Sequence, residues 1–342
     1  LTVNSEDMSL GMGVGAMTWL DQAGFEAAVE AAVLAPSMHN SQPWLFRLGP
    51  EHVDVLVDAG RRLPVSDATG WASRVGCGAA LFNLRLALAV GGTPAVVRVA
   101  PDPDDPELLA RLTPDRPRPA LPVEGRLYRA IWRRHSNRAP FLDKPVPVAA
   151  RSELIAAARA EHGSLNLLIG PVAVELAAEM VRVADQALRR DDGYQAELAA
   201  WTRRDRDRAA GGLTAGDGVP TAAGGPAPQP HELLARRDFG GRELAGHRDY
   251  EREPLLAVIG TTGDWPADQV QAGQVLQRVL LTAADLGLAA SMFSQPIEVP
   301  GIRAQLRRAL THQDTPQMLL RFGYATSTPH SPRRPVSDVL VN

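Results

Sequence analysis

The sequence predicts an α+β protein built from two related α/β halves, and three observations carry that reading. Apolar residues recur at helical spacing in several long segments, short apolar runs of strand length lie between them, and two long helices in different halves match when shifted together. The first half is taken as residues 19–122 and the second as residues 123–342. The stretch between them, Pro101 to Pro122, is proline-rich with alternating acids and arginines and reads as a connection. A chain of 342 residues has ample material for such a core.

In the first half Asp21 can cap a helix whose apolar positions Phe25, Val29, Ala32 and Val33 share one face, and Pro36 stops it. A loop at Ser37–Gln42 precedes strands at Trp44–Leu48 and Val53–Val57. A very apolar helix then spans Trp71–Val90, ends at Gly91-Gly92 and leads to a strand at Ala95–Val99. The second half opens with a helix ending in Arg133-Arg134-His135-Ser136. Helices at Val148–His162 and Val172–Arg189 flank a strand at Leu165–Ile169. The segment Gly211–Pro230 is rich in Gly, Pro, Ala and Thr with no periodicity, and reads as a flexible loop, a disordered spacer or a lid.

Order returns with a strand at Leu255–Gly260, a long helix at Ala267–Leu286 and a short extended run at Ser291–Ser294. A helix at Pro300–Leu310, a strand at Gln317–Phe322 and an extended tail from Thr326 follow. Superposing the two long helices pairs Leu84 with Leu280, Ala87 with Ala283 and Gly91 with Gly287. Ala/Leu-rich helices match often, but here both also lead into extended apolar segments, as an internal duplication would. Residues 1–18 are given no structural weight.

Composition excludes several functions. A formal net charge of -3 argues against a general nucleic-acid surface. The single cysteine, Cys77, rules out an intramolecular disulfide framework and a cysteine-based zinc site, and the eight histidines show no paired metal spacing, so no metal is expected. The N-terminal stretch lacks the features of a signal peptide, and no run of about 18 consecutive apolar residues offers a membrane span. A soluble cytoplasmic protein with no membrane partner is the expectation. Gly11-Met12-Gly13-Val14-Gly15 has no strand before it and no dinucleotide spacing after it, and neither a Walker lysine loop nor a serine nucleophile elbow is present.

Three clusters could carry chemistry. Ser37-Met38-His39-Asn40-Ser41-Gln42, framed by Pro36 and Pro43, presents several donors and acceptors suited to a polyhydroxyl chain or a heterocycle edge; an ordinary capped turn is the equally open alternative. Arg133-Arg134-His135-Ser136-Asn137-Arg138 makes a fork of donors suited to a phosphate, or else a solvated basic helix end. Ser331-Pro332-Arg333-Arg334-Pro335 is a third basic cluster, which in isolation reads as a loose tail.

Together these clusters resemble the motifs of the nitroreductase superfamily. Ala35-Pro36-Ser37-Met38-His39-Asn40-Ser41-Gln42-Pro43-Trp44 looks like that family's flavin loop, and Arg134-His135-Ser136-Asn137-Arg138 is similar to its phosphate-side motif. Gln295-Pro296-Ile297-Glu298 resembles the turn beside the flavin's reactive nitrogen, and Arg333-Arg334-Pro335 its C-terminal phosphate contact. The loop precedes the arginine motif, the reverse of the usual order, which resembles the duplicated Acg-type branch in which one chain imitates the family dimer.

The resemblance implies a nitroreductase-like fold, one FMN per chain and a chain able to act as a monomer. Pro36, Ser37, Met38, Asn40 and Gln42 would come from the first half. Arg134, His135, Ser136, Arg138, Gln295, Pro296, Ile297, Glu298 and Arg333 would come from the second. Arg134 and Arg333 would neutralise the phosphate, and Arg138 would be the cation near the pyrimidine end. The implied activity is FMN-dependent reduction of nitro or quinone-like small-molecule acceptors, with NAD(P)H as reductant. The alternative is flavin binding or storage with little NAD(P)H-driven turnover, favoured by Val299, which stands where the family usually has glycine, and by a lid at Gly211–Pro230.

Overall fold

The computed structural model describes residues 19–203, 216–229, 232–241, 251, 254–310, 314–326 and 328–341. Residues 1–18 and positions 211–215 and 230 of the expected loop lie outside them. The Asp21 carboxylate accepts a hydrogen bond from the Gly24 amide at 2.8 Å and so opens α1 (Gln22–Ala32), whose buried stripe is Phe25, Ala28, Val29 and Ala32. Strands β1 (Trp44–Leu48) and β2 (Val53–Val57) form an antiparallel hairpin with Trp44 opposite Val57.

Asp67 then accepts from the amides of Ala72 and Ser73 and from the Ser73 hydroxyl, satisfying the first turn of α2 (Trp71–Val90). That helix is apolar on nearly every face. By length and composition it could cross a membrane, but 78% of its most apolar window is buried inside the protein, as a central core helix requires. Gly92, at φ 87°, turns the chain out of it.

Strands β3 (Ala95–Val99) and β4 (Leu108–Pro114) complete this layer. β4 lies within the stretch expected to be a mere connection. Its Leu-Leu-Ala-Arg-Leu run at 108–112 is hydrogen-bonded on both edges, between β2 and β3, and this sheet context prevails over the flanking prolines.

The second half contributes α3 (Pro122–Ile131), α4 (Val148–Arg159), β5 (Ser164–Leu168) and α5 (Pro171–Arg189). A helix not foreseen in the sequence follows, α6 (Asp192–Ala200), opened by Asp191 accepting from the Tyr194 amide at 3.0 Å. The two-residue strands β6 (Thr202–Arg203) and β7 (Val219–Pro220) pair in parallel. Then come β8 (Leu255–Thr261), α7 (Pro266–Asp285), β9 (Ala289–Phe293), α8 (Gln295–Glu298), α9 (Pro300–Ala309), β10 (Thr315–Gly323) and β11 (Leu340–Val341).

The first sheet runs β11-β1-β2-β4-β3 and the second β5-β8-β10-β9. Without β11, each sheet takes its four strands in the order first, second, fourth, third. Those four strands pair antiparallel in both sheets, β11 alone joining β1 in parallel, and each long helix, α2 or α7, lies between the second and third of the four in the chain.

The two long helices cross at glycine. A Cβ on Gly78 would sit 2.0 Å from the Val270 carbonyl oxygen, and one on Gly273 would sit 2.1 Å from that of Val75, so the backbones meet where no side chain fits. Beside the crossing, Gln277 Nε2 donates to Asn83 Oδ1 at 2.8 Å, and Asn83 Nδ2 donates to the Ala31 carbonyl at 2.9 Å. Packing does not respect a boundary at residue 122. Leu127, Ala130 and Ile131 of α3, Val270 and Leu281 of α7, and Val339 of the tail all join the first core, while Trp71 and Val75 of α2 join the second.

Candidate functional site

The loop after α1 has a strained backbone. His39, Asn40 and Gln42 hold φ values of 50°, 55° and 52°, the left-handed region that non-glycine residues seldom occupy. Contacts with the second half hold it there. Asn40 Nδ2 donates to the carbonyls of Gly216, Gly218 and Pro332 at 3.1, 2.9 and 3.0 Å. Gln42 Nε2 donates to the Gly216 carbonyl at 2.8 Å, and Gln42 Oε1 accepts from the Arg334 amide at 2.9 Å. Within the loop, Ser37 Oγ accepts from the Gln42 amide at 2.9 Å.

Two adjoining cavities open at this loop and share Pro36, Ser37, Arg138 and Met292 in their walls. The larger encloses about 790 Å³, partly open to solvent. Trp71 and Val75 from α2, Leu276 from α7, Phe293 from β9 and Met318 from β10 make it mainly apolar. Its polar lining comes from Ser37, His39, Ser291, Ser294, Gln295 and three arginines. The smaller cavity encloses about 450 Å³ and is lined by Asn40, Arg134, His135, Ser136, His330, Ser331 and Arg333.

Charge defines the smaller cavity. Arg134 is 7% exposed, donates from Nη2 to the Leu34 carbonyl at 3.2 Å, and leaves its buried Nε without a partner. Arg333 donates to the carbonyls of Val33 and Ala35 at 2.9 and 3.1 Å and to Asn40 Oδ1 at 3.0 Å. Arg138 donates to the Ala223 carbonyl at 2.9 Å.

Among the described residues no carboxylate pairs with any of these three. Burial, and then the neighbouring Arg333, pulls the pKa of Arg134 down to about 9. Burial pulls Arg333 down to about 10, and burial followed by Arg237, Arg236 and Arg134 does the same to Arg138. All three stay cationic at neutral pH, so the protein carries a positive cluster, buried at Arg134 and half-buried at Arg138 and Arg333, with no carboxylate paired to it among the described residues. Such a cluster fits a phosphate dianion.

The His135 and His330 rings lie 4.4 Å apart on the same wall. Burial is the leading cause that holds both below the ordinary imidazole pKa.

The opposite arrangement prevails at two other arginines of the larger cleft. Arg237 forms an ion pair with buried Glu298 and donates to the Tyr194 hydroxyl at 2.6 Å and to Ser294 Oγ at 3.0 Å. Arg236 pairs with Glu232 at 2.5 Å. Both belong to a segment that lies against the cleft, where Phe239 stacks 5.0 Å from the Arg138 guanidinium. The described part of the expected loop, 216–229, also contacts the site: Val219 lines the smaller cavity and the Ala223 carbonyl accepts from Arg138.

Most residues expected from sequence meet here. Pro36, Ser37, Met38, Arg138 and Gln295 line the larger cleft; Asn40, Arg134, His135, Ser136 and Arg333 line the smaller. Others are placed differently. Gln42 lines neither cavity, because its amide is committed to Gly216 and Arg334, and it shapes the loop instead. Pro296, Ile297 and Glu298 also lie off both walls. Pro296 is buried, Ile297 is in the core, and Glu298 is committed to Arg237. Val299, expected to crowd the cleft, packs on that core.

Sequence reasoning missed Trp71, Val75, Leu276 and Met318, which read as ordinary core, and Arg236, Arg237 and Phe239, which no motif flags. His330 stood one residue before a cluster already singled out.

The family model described as "Nitroreductase family" matches residues 131–324. The Mycobacterium tuberculosis H37Rv protein named "Putative NAD(P)H nitroreductase acg" is 30% identical over 323 residues, covering 92% of this chain and 94% of its own. A second H37Rv protein, "Putative NAD(P)H nitroreductase Rv3131", is 31% identical over 348 aligned residues, covering 96% and 95% respectively. Among solved structures, a nitroreductase with bound FMN from Desulfitobacterium hafniense DCB-2 is similar at 15% identity and a TM-score of 0.40, over 64% of this chain and 97% of that one.

Proposed function

The chain belongs to the nitroreductase family, and from that premise and the geometry of the paired cavities we propose that it is an FMN-dependent oxidoreductase. The observation that carries the proposal is the trio of buried Arg134 and half-buried Arg138 and Arg333, which lacks a carboxylate among the described residues and lines a small cavity that adjoins a mainly apolar cleft. FMN supplies the redox chemistry when bound, and the protein holds and tunes it.

In this reading Arg134 and Arg333 take the phosphate, with the unpartnered Nε of Arg134 as a ready donor. Ser136 and Asn40 add polar atoms along the smaller cavity. Pro36, Ser37 and Met38 border the ring, the apolar side chains of α2 and α7 exclude water from it, and Arg138 keeps positive charge where the two cavities join. The names carried by the relatives make NAD(P)H the proposed reductant. Nitro or quinone-like compounds are the proposed acceptors.

We further read the chain as an internal duplication acting as a monomer. The shared strand order, the matching central helices and the glycine crossing support this, since one chain supplies both walls that a dimer would otherwise divide.

A second reading, an FMN-holding protein with little turnover, draws on one observation: Arg236, Arg237 and Phe239 of one segment stand in the wall of the cleft that a nicotinamide would have to enter. The test is a visible spectrum of the purified protein, with FMN added if it is colourless, followed by anaerobic NADPH or NADH. A flavin band that bleaches is the expected result. A protein that takes up no FMN overturns the proposal, and a flavin band that persists favours the holding protein.

A further inference from the structure

His39 lines the apolar cleft in an unusual state. Its side chain is buried, and neither Nδ1 nor Nε2 has a hydrogen-bond partner among the described residues. A neutral imidazole always presents one donor and one acceptor, so this burial leaves two polar groups unanswered. Such groups are costly unless a ligand or water completes them. The ring is held by aromatic contacts: Tyr194 lies 6.4 Å away at 66° and Phe239 lies 6.3 Å away at 69°, both T-shaped. Burial, then the charges of Arg237 and Arg138, keep its pKa well below the ordinary value, so the ring is neutral at pH 7.

The position of His39 distinguishes between two possible occupants. It lines the larger cleft and is absent from the walls of the smaller, cationic one, so it takes no part in anion binding. Its aromatic neighbours belong to α6 and the segment Arg236–Phe239, whereas α2, α7 and β10 supply much of the apolar wall. The strained backbone at φ 50° is clamped by the contacts of Asn40 and Gln42, which fix where the ring lies.

We propose that His39 binds the acceptor: its imidazole N–H donates a hydrogen bond to the oxygen of a flat quinone or nitro compound and selects such acceptors over hydrocarbons of the same shape. The proposal rests on the FMN reading above.

The test titrates flavin-loaded protein with 2-methyl-1,4-naphthoquinone and, separately, with 2-methylnaphthalene, following the flavin absorbance and fluorescence without any reductant. The wild type and His39→Phe are both expected to hold FMN. The variant should bind the quinone about tenfold more weakly and the hydrocarbon unchanged, the loss expected for one buried hydrogen bond. His39→Gln, which retains a donor and an acceptor, should restore most of the difference. Should His39→Phe not fold, His39→Leu carries the same expectation.

An unchanged quinone affinity in the folded variant overturns the proposal, as does an equal weakening for both probes or a loaded wild type that binds no quinone. Loss of FMN from His39→Phe but not from His39→Gln would also overturn it, by showing that the ring serves the flavin. A wild type that takes no FMN is recognised before either probe is added, and defeats the FMN reading on which the proposal stands.

Discussion

Two sets of arginines border the two adjoining cavities, and their surroundings are opposite. Arg134, buried, and Arg138 and Arg333, half-buried, donate to backbone carbonyls and pair with no carboxylate among the described residues. Arg236 and Arg237 are buried with Glu232 and Glu298 as partners. A buried cation that pairs internally serves the fold, whereas one left without counter-charge raises the energy of the ligand-free protein until an anion arrives. The same residue type therefore does two jobs around the paired cavities, and the local acids distinguish them.

The largest effect that tests this contrast is expected at Arg237. Arg237→Met would strand the Glu298 carboxylate in a buried site and should destabilise the protein by about 3–5 kcal/mol. Urea unfolding of the flavin-free protein measures it, and Arg237→Met/Glu298→Gln should recover much of the loss. A stability unchanged within error would show that the pair contributes nothing to the fold.

Next comes the other set. Arg134→Met and Arg333→Met should each weaken FMN by about 2 kcal/mol, a charge-assisted contact apiece. Neither should reduce the stability of the flavin-free protein, and removing one of two repelling charges should raise its Tm. Fluorescence titration and a thermal melt report the two halves of this prediction. Loss of stability with unchanged FMN affinity would place these arginines in the structural class with Arg237.

How much of this was visible in the sequence follows from how each part is encoded. The loop at Pro36–Asn40, the Arg134–Arg138 run and Arg333 are contiguous strings, so their donors could be read directly, and they converge on the two cavities. The apolar walls are single residues on four different elements, and Val75 or Leu276 looks the same in sequence whether it faces a ligand or another helix. Glu298 was expected at the cofactor because its string resembles a turn there. The sequence could not show that Arg237, many residues earlier, reaches it. β4 was lost for a similar reason: its partners on either edge, rather than its own proline-flanked residues, make it a strand.

The glycine crossing offers a test of the frame common to both arginine sets. A side chain at Gly273 would meet the Val75 carbonyl, and Val75 itself lines the cleft. Gly273→Ala should cost about 1–3 kcal/mol through forced separation of α2 and α7. It should also weaken FMN, because the larger cavity takes wall residues from both helices. A thermal melt and a titration on the same preparation check it, and a variant that loses stability but binds FMN as the wild type does would show that the cleft tolerates movement of its floor.

The smallest effect expected is in the pH dependence. His135 and His330 face the smaller cavity beside Arg134 and Arg333, and in the flavin-free protein burial holds both below the ordinary imidazole pKa, so they are neutral at pH 7. A phosphate dianion next to them favours the protonated form and raises those values on binding. Binding then takes up protons, so FMN affinity should rise as pH falls from about 8 toward 6, until protonation of the phosphate itself, with a second pKa of about 6, opposes it. Replacing both histidines with asparagine should flatten that rise to within about twofold while leaving the affinity at pH 8 nearly intact, since neutral rings contribute no charge there. A rise of the same size in the double variant would assign the proton to another group and leave the arginines as the sole electrostatic anchor of the phosphate.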